Sequence, residues 1–145
     1  MPADDPIPTD RPIFRRRHRL THDLEFQAVL RGKLKKSQGP LTLWMLPTSL
    51  PEHRLGLSIG RRVGHAVRRT RLKRHLREAF RLERASLPRP DAAAPASYDL
   101  VVGARAHEPL SLDDYRAILR ALAQQLHRVH AKRARRGADS ADESP

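Results

Sequence analysis

The sequence predicts one α+β domain, in which helices pack on a mixed β-sheet in the order helix, strand, strand, helix, strand, helix. An amphipathic helix precedes two short alternating strands, and a long helix without breakers separates these from a third, continuously apolar strand. A length of 145 residues suits a single domain. We place this α/β sandwich domain at residues 13–130, and the pattern leaves open one extra short strand.

The two ends of the chain lack the apolar residues that a packed core needs. Residues 1–12 are acidic and rich in proline, and residues 131–145 pass from basic to acidic, so both are predicted to be disordered tails. The chain has no cysteine, which excludes disulfides, zinc–thiolate sites and thiol catalysis. We expect neither a secretion signal nor a membrane span, and a cytoplasmic location.

The first predicted helix opens at Thr21 and ends at Gly32. Thr21 is a candidate N-cap, and the acidic residues that follow it suit the positive end of the helix dipole. Phe26 and Leu30 lie four residues apart and share one face, as core pairs commonly do. The core side is expected to carry Leu20, Leu24, Ala28 and Val29.

Two alternating strands follow, at residues 41–46 and 54–59. In the first, alternation puts Leu41, Leu43 and Met45 on one face and Thr42, Trp44 and Leu46 on the other. A lone tryptophan is as often a core anchor as a binding residue. The second strand places Gly56 and Ser58 on its outer face, where small side chains leave room for a ligand.

Residues 60–84 form the strongest feature of the sequence, a basic loop that runs into a basic helix. Ten of the chain's 29 Lys and Arg lie here against two Glu, which gives +8 of the formal +13. From Ala66 onward an apolar arc, including Leu72, Leu76 and Phe80, lies opposite the cations. A merely solvated face would interleave more Glu, because like charges three or four residues apart destabilise a helix. This pattern is typical of nucleic-acid binding.

The remaining segments complete the predicted fold. Residues 86–97 are rich in Pro and Ala and should form an exposed linker within the domain. Residues 98–105 are nearly continuously apolar, as in a central strand. A last amphipathic helix opens at Ser111, which with Asp114 resembles a capping box.

The basic segment resembles the signature of the bacterial ribonuclease P protein subunit, which assists a catalytic RNA in removing the 5′ leader of precursor tRNA. That signature has a basic pair, a Gly, an Ala-Val pair and an Arg-Asn-Arg-x-Lys-Arg core that runs into Arg-Glu-Ala-Phe. Thr70 departs from it, because the family usually has Asn there. The resemblance covers about residues 14–130. The matching residues are Arg61, Arg62, Gly64, Ala66, Val67, Arg69, Arg71, Lys73, Arg74, Arg77, Glu78, Ala79 and Phe80.

The resemblance implies two sets of RNA-binding residues. Phe26, Trp44 and Arg19 would bind the single-stranded leader of precursor tRNA, with the rings stacked on bases. Leu30 stands where a second Phe is common. The family also implies a left-handed crossover around the basic helix, as in a small-subunit ribosomal protein domain. The residues implied for the catalytic RNA are Arg61, Arg62, Arg69, Thr70, Arg71, Lys73, Arg74 and Arg77.

The sequence shows no catalytic constellation. None of its eight His has a metal-ligand spacing, and no acidic pair lies beside a nucleophile. This agrees with the family, in which the RNA subunit is the catalyst and Mg²⁺ is implied as the holoenzyme cofactor, held mainly by RNA. We expect the catalytic RNA and precursor tRNA as partners, no membrane and no small-molecule substrate. The alternative is a structural RNA-binding protein, of ribosomal or ribosome-assembly type, without a role in cleavage.

Overall fold

The computed structural model describes residues 14–90 and 96–142, with side chains as far as Gly137. Within these residues the fold is the α+β domain predicted, and β1 is the extra short strand. Short 3-10 turns lie at Arg16–His18, Arg61–Val63 and Arg84–Ser86. The helices and strands are α1 (Asp23–Arg31), β1 (Leu34–Gln38), β2 (Leu41–Thr48), β3 (Arg54–Ser58), α2 (Ala66–Glu83), β4 (Ser97–Ala104) and α3 (Leu112–Asp142).

The four strands form one mixed sheet in the order β1-β2-β4-β3. β2 pairs antiparallel with both β1 and β4, whereas β3 runs parallel to β4. A parallel pair needs a long connection, and α2 lies within it. The left-handed sense of this crossover stays a prediction from the family.

Helices cover both faces of the sheet. α2 and α3 pack on one face and enclose the main core, in which the predicted apolar arc of α2 is buried, with Phe80 wholly inaccessible. α1 packs on β2 and β4 on the other face, over a smaller cluster formed by Leu20, Val29 and Val101. The alternation predicted for β2 is confirmed, since Leu43 faces the main core and Trp44 the opposite side.

The predicted details of α1 are partly wrong. The helix begins at Asp23, and its N-cap is His22, which forms no side-chain cap bond. Leu24 is 80% exposed, and Ala28 is exposed as well. The helix contacts the sheet through Phe26 and Val29, three residues apart, so Leu24 lies about 200° away from Phe26 and faces outward.

Two predicted boundaries also differ from the structure. The segment 86–97 is not an exposed linker throughout, because Leu87 is buried in the main core and Ser97 begins β4. α3 continues to Asp142, past the predicted start of a tail at residue 131. The Ala, Lys and Arg of that stretch favour helix. The predicted tail at residues 1–12 and the middle of the linker, residues 91–95, lie outside the described residues.

A buried carboxylate ties α2 to α3. Glu83 is 2% exposed and accepts hydrogen bonds from Arg120 Nε at 2.7 Å and Arg116 Nε at 2.8 Å. Those hydrogen bonds, from Arg120 above all, lower the pKa of the Glu83 carboxyl. The basic helix is therefore held by ion pairs at its end, away from the cations that face outward.

Candidate RNA-binding surface

Two aromatic rings lie against glycines on the face of the sheet that α1 covers. A Cβ on Gly56 would lie 2.4 Å from Phe26 Cζ, and one on Gly103 would lie 3.0 Å from Trp44 Cζ3. Both rings are half-buried and pack beside Leu46. The space that the sequence assigned to a ligand at Gly56 is thus filled by the Phe26 ring of the protein itself. The glycines set the depth of both rings.

Polar groups of the edge strand surround the Trp44 ring. The exposed Lys35 of β1 places its Nζ 5.3 Å from the ring centroid, a cation–π contact. Next to it, the hydroxyls of Ser37 and Thr42 are hydrogen-bonded at 2.8 Å. A stacked base at Trp44 would therefore have a cation beside it.

The Phe26 ring opens on a cavity of about 230 Å³ between α1 and α2. Besides Phe26 and Gly56, this cavity is lined by three cationic side chains, Arg19, Lys73 and Arg77. Partial burial and the nearby Arg19 guanidinium lower the pKa of Arg77, and no Asp or Glu is among the described residues that line the cavity. We call this space the α1–α2 cleft.

Trp44 does not line the α1–α2 cleft; it lies further across the sheet, beside β1. Lys73 and Arg77, which the family resemblance assigned to the catalytic RNA, lie in the same cleft as Phe26 and Arg19. The spacing of Lys73 and Arg77, four residues apart on one helix face, was the available signal. No spacing pattern pointed to Lys35, because its contact with Trp44 depends on the pairing of β1 with β2.

The outer side of α2 and its entry loop presents unpaired cations. Arg71 and Arg74 are exposed and line a shallow depression with Thr70. Arg61 and Arg62 are exposed in the 3-10 turn before α2, which Gly64 closes with φ of 144°. None of these four arginines forms an ion pair with an acid among the described residues. We call this set the basic face.

Arg69 is the least accessible of the predicted RNA-binding arginines. It is half-buried, and its Nε has no hydrogen-bond partner within the described part of the chain. An unsatisfied buried donor costs free energy. Binding a phosphate at Arg69 would satisfy that donor.

Much of the second basic cluster, residues 15–19, makes contacts within the protein. His18 is wholly buried and accepts the Arg15 backbone N–H at Nδ1, and its Nε2 lies 3.0 Å from Glu52 Oε2 and against the Arg84 guanidinium. Arg17 Nε donates to the same carboxylate at 2.6 Å. Burial, with the adjacent Arg84 guanidinium, lowers the pKa of His18. Arg84 was predicted to face outward with the other cations, but its guanidinium makes a contact inside the protein.

Comparison with known proteins identifies the family to which this chain belongs. The family model described as ribonuclease P matches residues 14–130. The chain belongs to the ribonuclease P protein family. The ribonuclease P protein component of Methylococcus capsulatus is 37% identical over 118 residues, which covers 81% of this chain and 84% of that relative. That of Syntrophobacter fumaroxidans is 34% identical and covers 73% of this chain and 86% of the relative.

Solved structures of ribonuclease P proteins have the same fold. The protein from Thermotoga maritima superimposes with a TM-score of 0.62 at 26% identity and covers 74% of this chain and 96% of that one. The Staphylococcus aureus protein gives a TM-score of 0.60 at 20% identity, covering 74% and 93% of the two chains. As a ribonuclease P protein, the chain is a subunit of a ribonucleoprotein endoribonuclease in tRNA processing, and the ribosomal alternative is not favoured.

Among the described residues, no helix combines the length and the apolar character that crossing a bilayer requires.

Proposed function

We propose that this ribonuclease P protein binds the catalytic RNA through the basic face and the leader of precursor tRNA through the α1–α2 cleft. The observation that carries the proposal is the meeting of two half-buried rings, Phe14 and Phe26, with three cations in a single cleft. A single strand needs both elements, because its bases stack on rings while its phosphates need positive charge. A double helix would offer phosphates but no free base face.

The leader would continue from the cleft towards Trp44. This ring lies on the same face of the sheet, with the exposed cation of Lys35 beside it. Stacking and charge together bind without reading sequence, since every base has a π-face. Such tolerance suits a substrate class whose leaders differ in sequence.

The basic face would hold phosphates of the catalytic RNA. Its arginines and Thr70 are exposed, and each cation that replaces condensed counterions adds to a salt-dependent affinity. Neutralising part of the RNA charge would also reduce repulsion between catalytic RNA and substrate, and so lower the Mg²⁺ needed for assembly.

The residues of this surface do not fit a protein-held Mg²⁺. Mg²⁺ requires oxygen ligands in near-octahedral geometry, whereas the basic face offers guanidinium groups. No group of three or more His, Cys, Asp or Glu able to hold a metal occurs among the described residues. We therefore propose that the Mg²⁺ of the holoenzyme is held by RNA and substrate.

Reconstitution tests the proposal. The chain is added to a bacterial ribonuclease P RNA at low Mg²⁺, and cleavage of precursor tRNA is measured. We expect strong stimulation by the wild-type chain and no cleavage by the chain without RNA. Absence of stimulation, or cleavage by the protein alone, would refute the proposal.

A matched pair of variants tests the cleft. Arg77→Gln should weaken binding of precursor tRNA carrying a leader, and leave binding of mature tRNA nearly unchanged. Arg128→Gln is the control, because Arg128 is an exposed arginine of α3 that, within the described part of the chain, forms no ion pair and bonds only to its own helix at Gln124. Equal losses for both variants, or for both RNAs, would contradict the assignment of the cleft.

A further inference from the structure

A groove beside the basic face has no role in the function proposed above. It lies between the first half of α2 and the segment that joins β4 to α3, and its volume is about 290 Å³. Its apolar wall includes Val67, which is 74% exposed on the surface of α2. The lining residues of this α2–α3 groove are Val63, His65, Val67, Arg68, Arg71, Leu72, His75, His107, Pro109 and Tyr115.

Three rings form the base of the groove in a fixed arrangement. His75 and His107 each lie 5.9 Å from the Tyr115 ring, His75 tilted and His107 edge-on. His107 Nδ1–H donates to the Arg105 carbonyl at 2.8 Å, so the Tyr115 hydroxyl donates to His107 Nε2 at 2.8 Å. The same hydroxyl accepts the Leu110 N–H at 3.1 Å. His107 and Tyr115 are thus held in place before any ligand arrives.

His75 differs from the other two rings in its hydrogen bonding. Its side chain is half-buried, and its ring nitrogens form no hydrogen bond among the described residues. Its ring nitrogens therefore remain able to bond the polar edge of a ligand that enters the groove.

The rim of the groove is cationic. Arg68 and Arg71 are both exposed, and Arg71 has no ion-pair partner among the described acids. The acid nearest to the rim is Glu108, whose side chain is 93% exposed and only 3.9 Å from Arg68. A ligand of this groove should therefore combine a flat apolar body with negative charge.

We propose that the α2–α3 groove binds a single unpaired base of the catalytic RNA, whose flanking phosphates contact Arg68 and Arg71. This inference rests on the proposed function, since the groove adjoins the basic face and shares Arg71 with it. An unstacked base is flat and aromatic, has polar edges and is always tied to phosphates, which matches each part of the groove. An apolar peptide would leave the arginines without partners, and a free anion would leave the rings unused.

The experiment compares RNA affinities of variants across salt concentrations. His75→Ala should weaken binding of a bacterial ribonuclease P RNA about fivefold or more, the lower end of losses seen when a stacking ring is removed. The slope of log affinity against log salt should stay the same, because no phosphate contact is lost. Arg71→Gln should weaken binding and reduce the slope by about one. The matched control is His130→Ala, a half-buried α3 histidine packed edge-on against Tyr98 outside the groove.

Chemical probing of the RNA identifies the base. We expect one unpaired nucleotide whose base edge is protected by the wild-type chain and by His130→Ala but reactive with His75→Ala. Val67→Ser serves as a second variant, because a side chain that is 74% exposed contributes little to folding; it should weaken binding roughly threefold.

Two results would overturn the inference. One is unchanged affinity and probing pattern in both His75→Ala and Val67→Ser; the other is a loss for His75→Ala that changes the salt slope as Arg71→Gln does. The wild-type chain separates this failure from that of the proposed function. If it still binds the RNA and stimulates cleavage, the groove assignment alone has failed.

Discussion

Replacing Gly56 by alanine tests whether the depth of the Phe26 ring creates the leader-binding surface. The new Cβ would lie 2.4, 2.8 and 3.1 Å from three atoms of that ring. Gly56 is not among the glycines with positive φ, so the ring is the obstacle rather than the backbone. Overpacking of this kind costs about 1–3 kcal/mol. Without such a clash, replacing glycine by alanine within a strand would raise the free energy of unfolding by about 0.5–1 kcal/mol.

A double-mutant cycle isolates the contact. In the Phe26→Ala background the obstacle is gone, so Gly56→Ala should become neutral or slightly stabilising in urea unfolding. The coupling free energy between the two positions should therefore be about 1–3 kcal/mol. Gly60→Ala is the control for unfolding, since nothing lies within 4 Å of a Cβ there. Because the ring must move, Gly56→Ala should also lower affinity for precursor tRNA about fivefold or more.

Two outcomes would refute this reasoning. If Gly56→Ala changes the free energy of unfolding equally with and without Phe26, the ring does not occupy the space above the glycine. If Gly56→Ala weakens binding of mature tRNA as much as binding of precursor tRNA, the ring is a core residue and no platform for the leader.

The other predictions concern charge and pH. Arg74→Gln should reduce the slope of log RNA affinity against log salt by about one, whereas Arg81→Gln, paired with Glu78, should change it less; equal slopes would contradict the assignment. Glu83→Gln should lower the free energy of unfolding by about 1–3 kcal/mol at pH 7. Because the folded-state pKa of Glu83 is lowered, that stabilisation is fully present above about pH 4.5. It is lost as the pH falls through the lowered pKa, so the stabilities of wild type and variant should converge in acid. Burial lowers the pKa of His53 to about 4, so the unfolded chain takes up the proton at a higher pH than the folded chain does. The free energy of unfolding should therefore fall by on the order of 3 kcal/mol as the pH drops from about 6.5 to 4. His53→Asn should flatten that part of the pH profile measured by urea unfolding.

Periodicity was sufficient to predict the elements that bury one face. The apolar arc of α2 and the alternation of β2 depend only on spacing along one element, and both are confirmed. Ser111 was likewise predictable, because its bond to the Asp114 N–H, at 3.1 Å, is local. Leu24 shows the limit: its exposure follows from which face of α1 meets the sheet, and that depends on residues far away in the chain.

The candidate site depends more on contacts between distant elements. The cleft joins Arg19 and Phe26 to Arg77 across some 50 residues of sequence, and no spacing rule places them together. The α2–α3 groove was invisible for the same reason, since His107 comes from a connecting segment without periodicity. Family resemblance supplied the residue types of the surface, while only the fold groups them into a cleft and a basic face.

The distribution of acids decides which cations are available to RNA. Composition counts ten Lys and Arg in residues 60–84, but Arg81 pairs with Glu78 and Arg84 lies against His18. Across the described residues, Glu52, Glu78 and Glu83 are occupied by arginines away from the basic face. The arginines of the basic face are thereby left without an acid among the described residues. A salt slope measured on the whole chain should consequently count fewer phosphate contacts than the cations of this segment, and a slope equal to the full ten would mean that the internal pairs open on RNA binding.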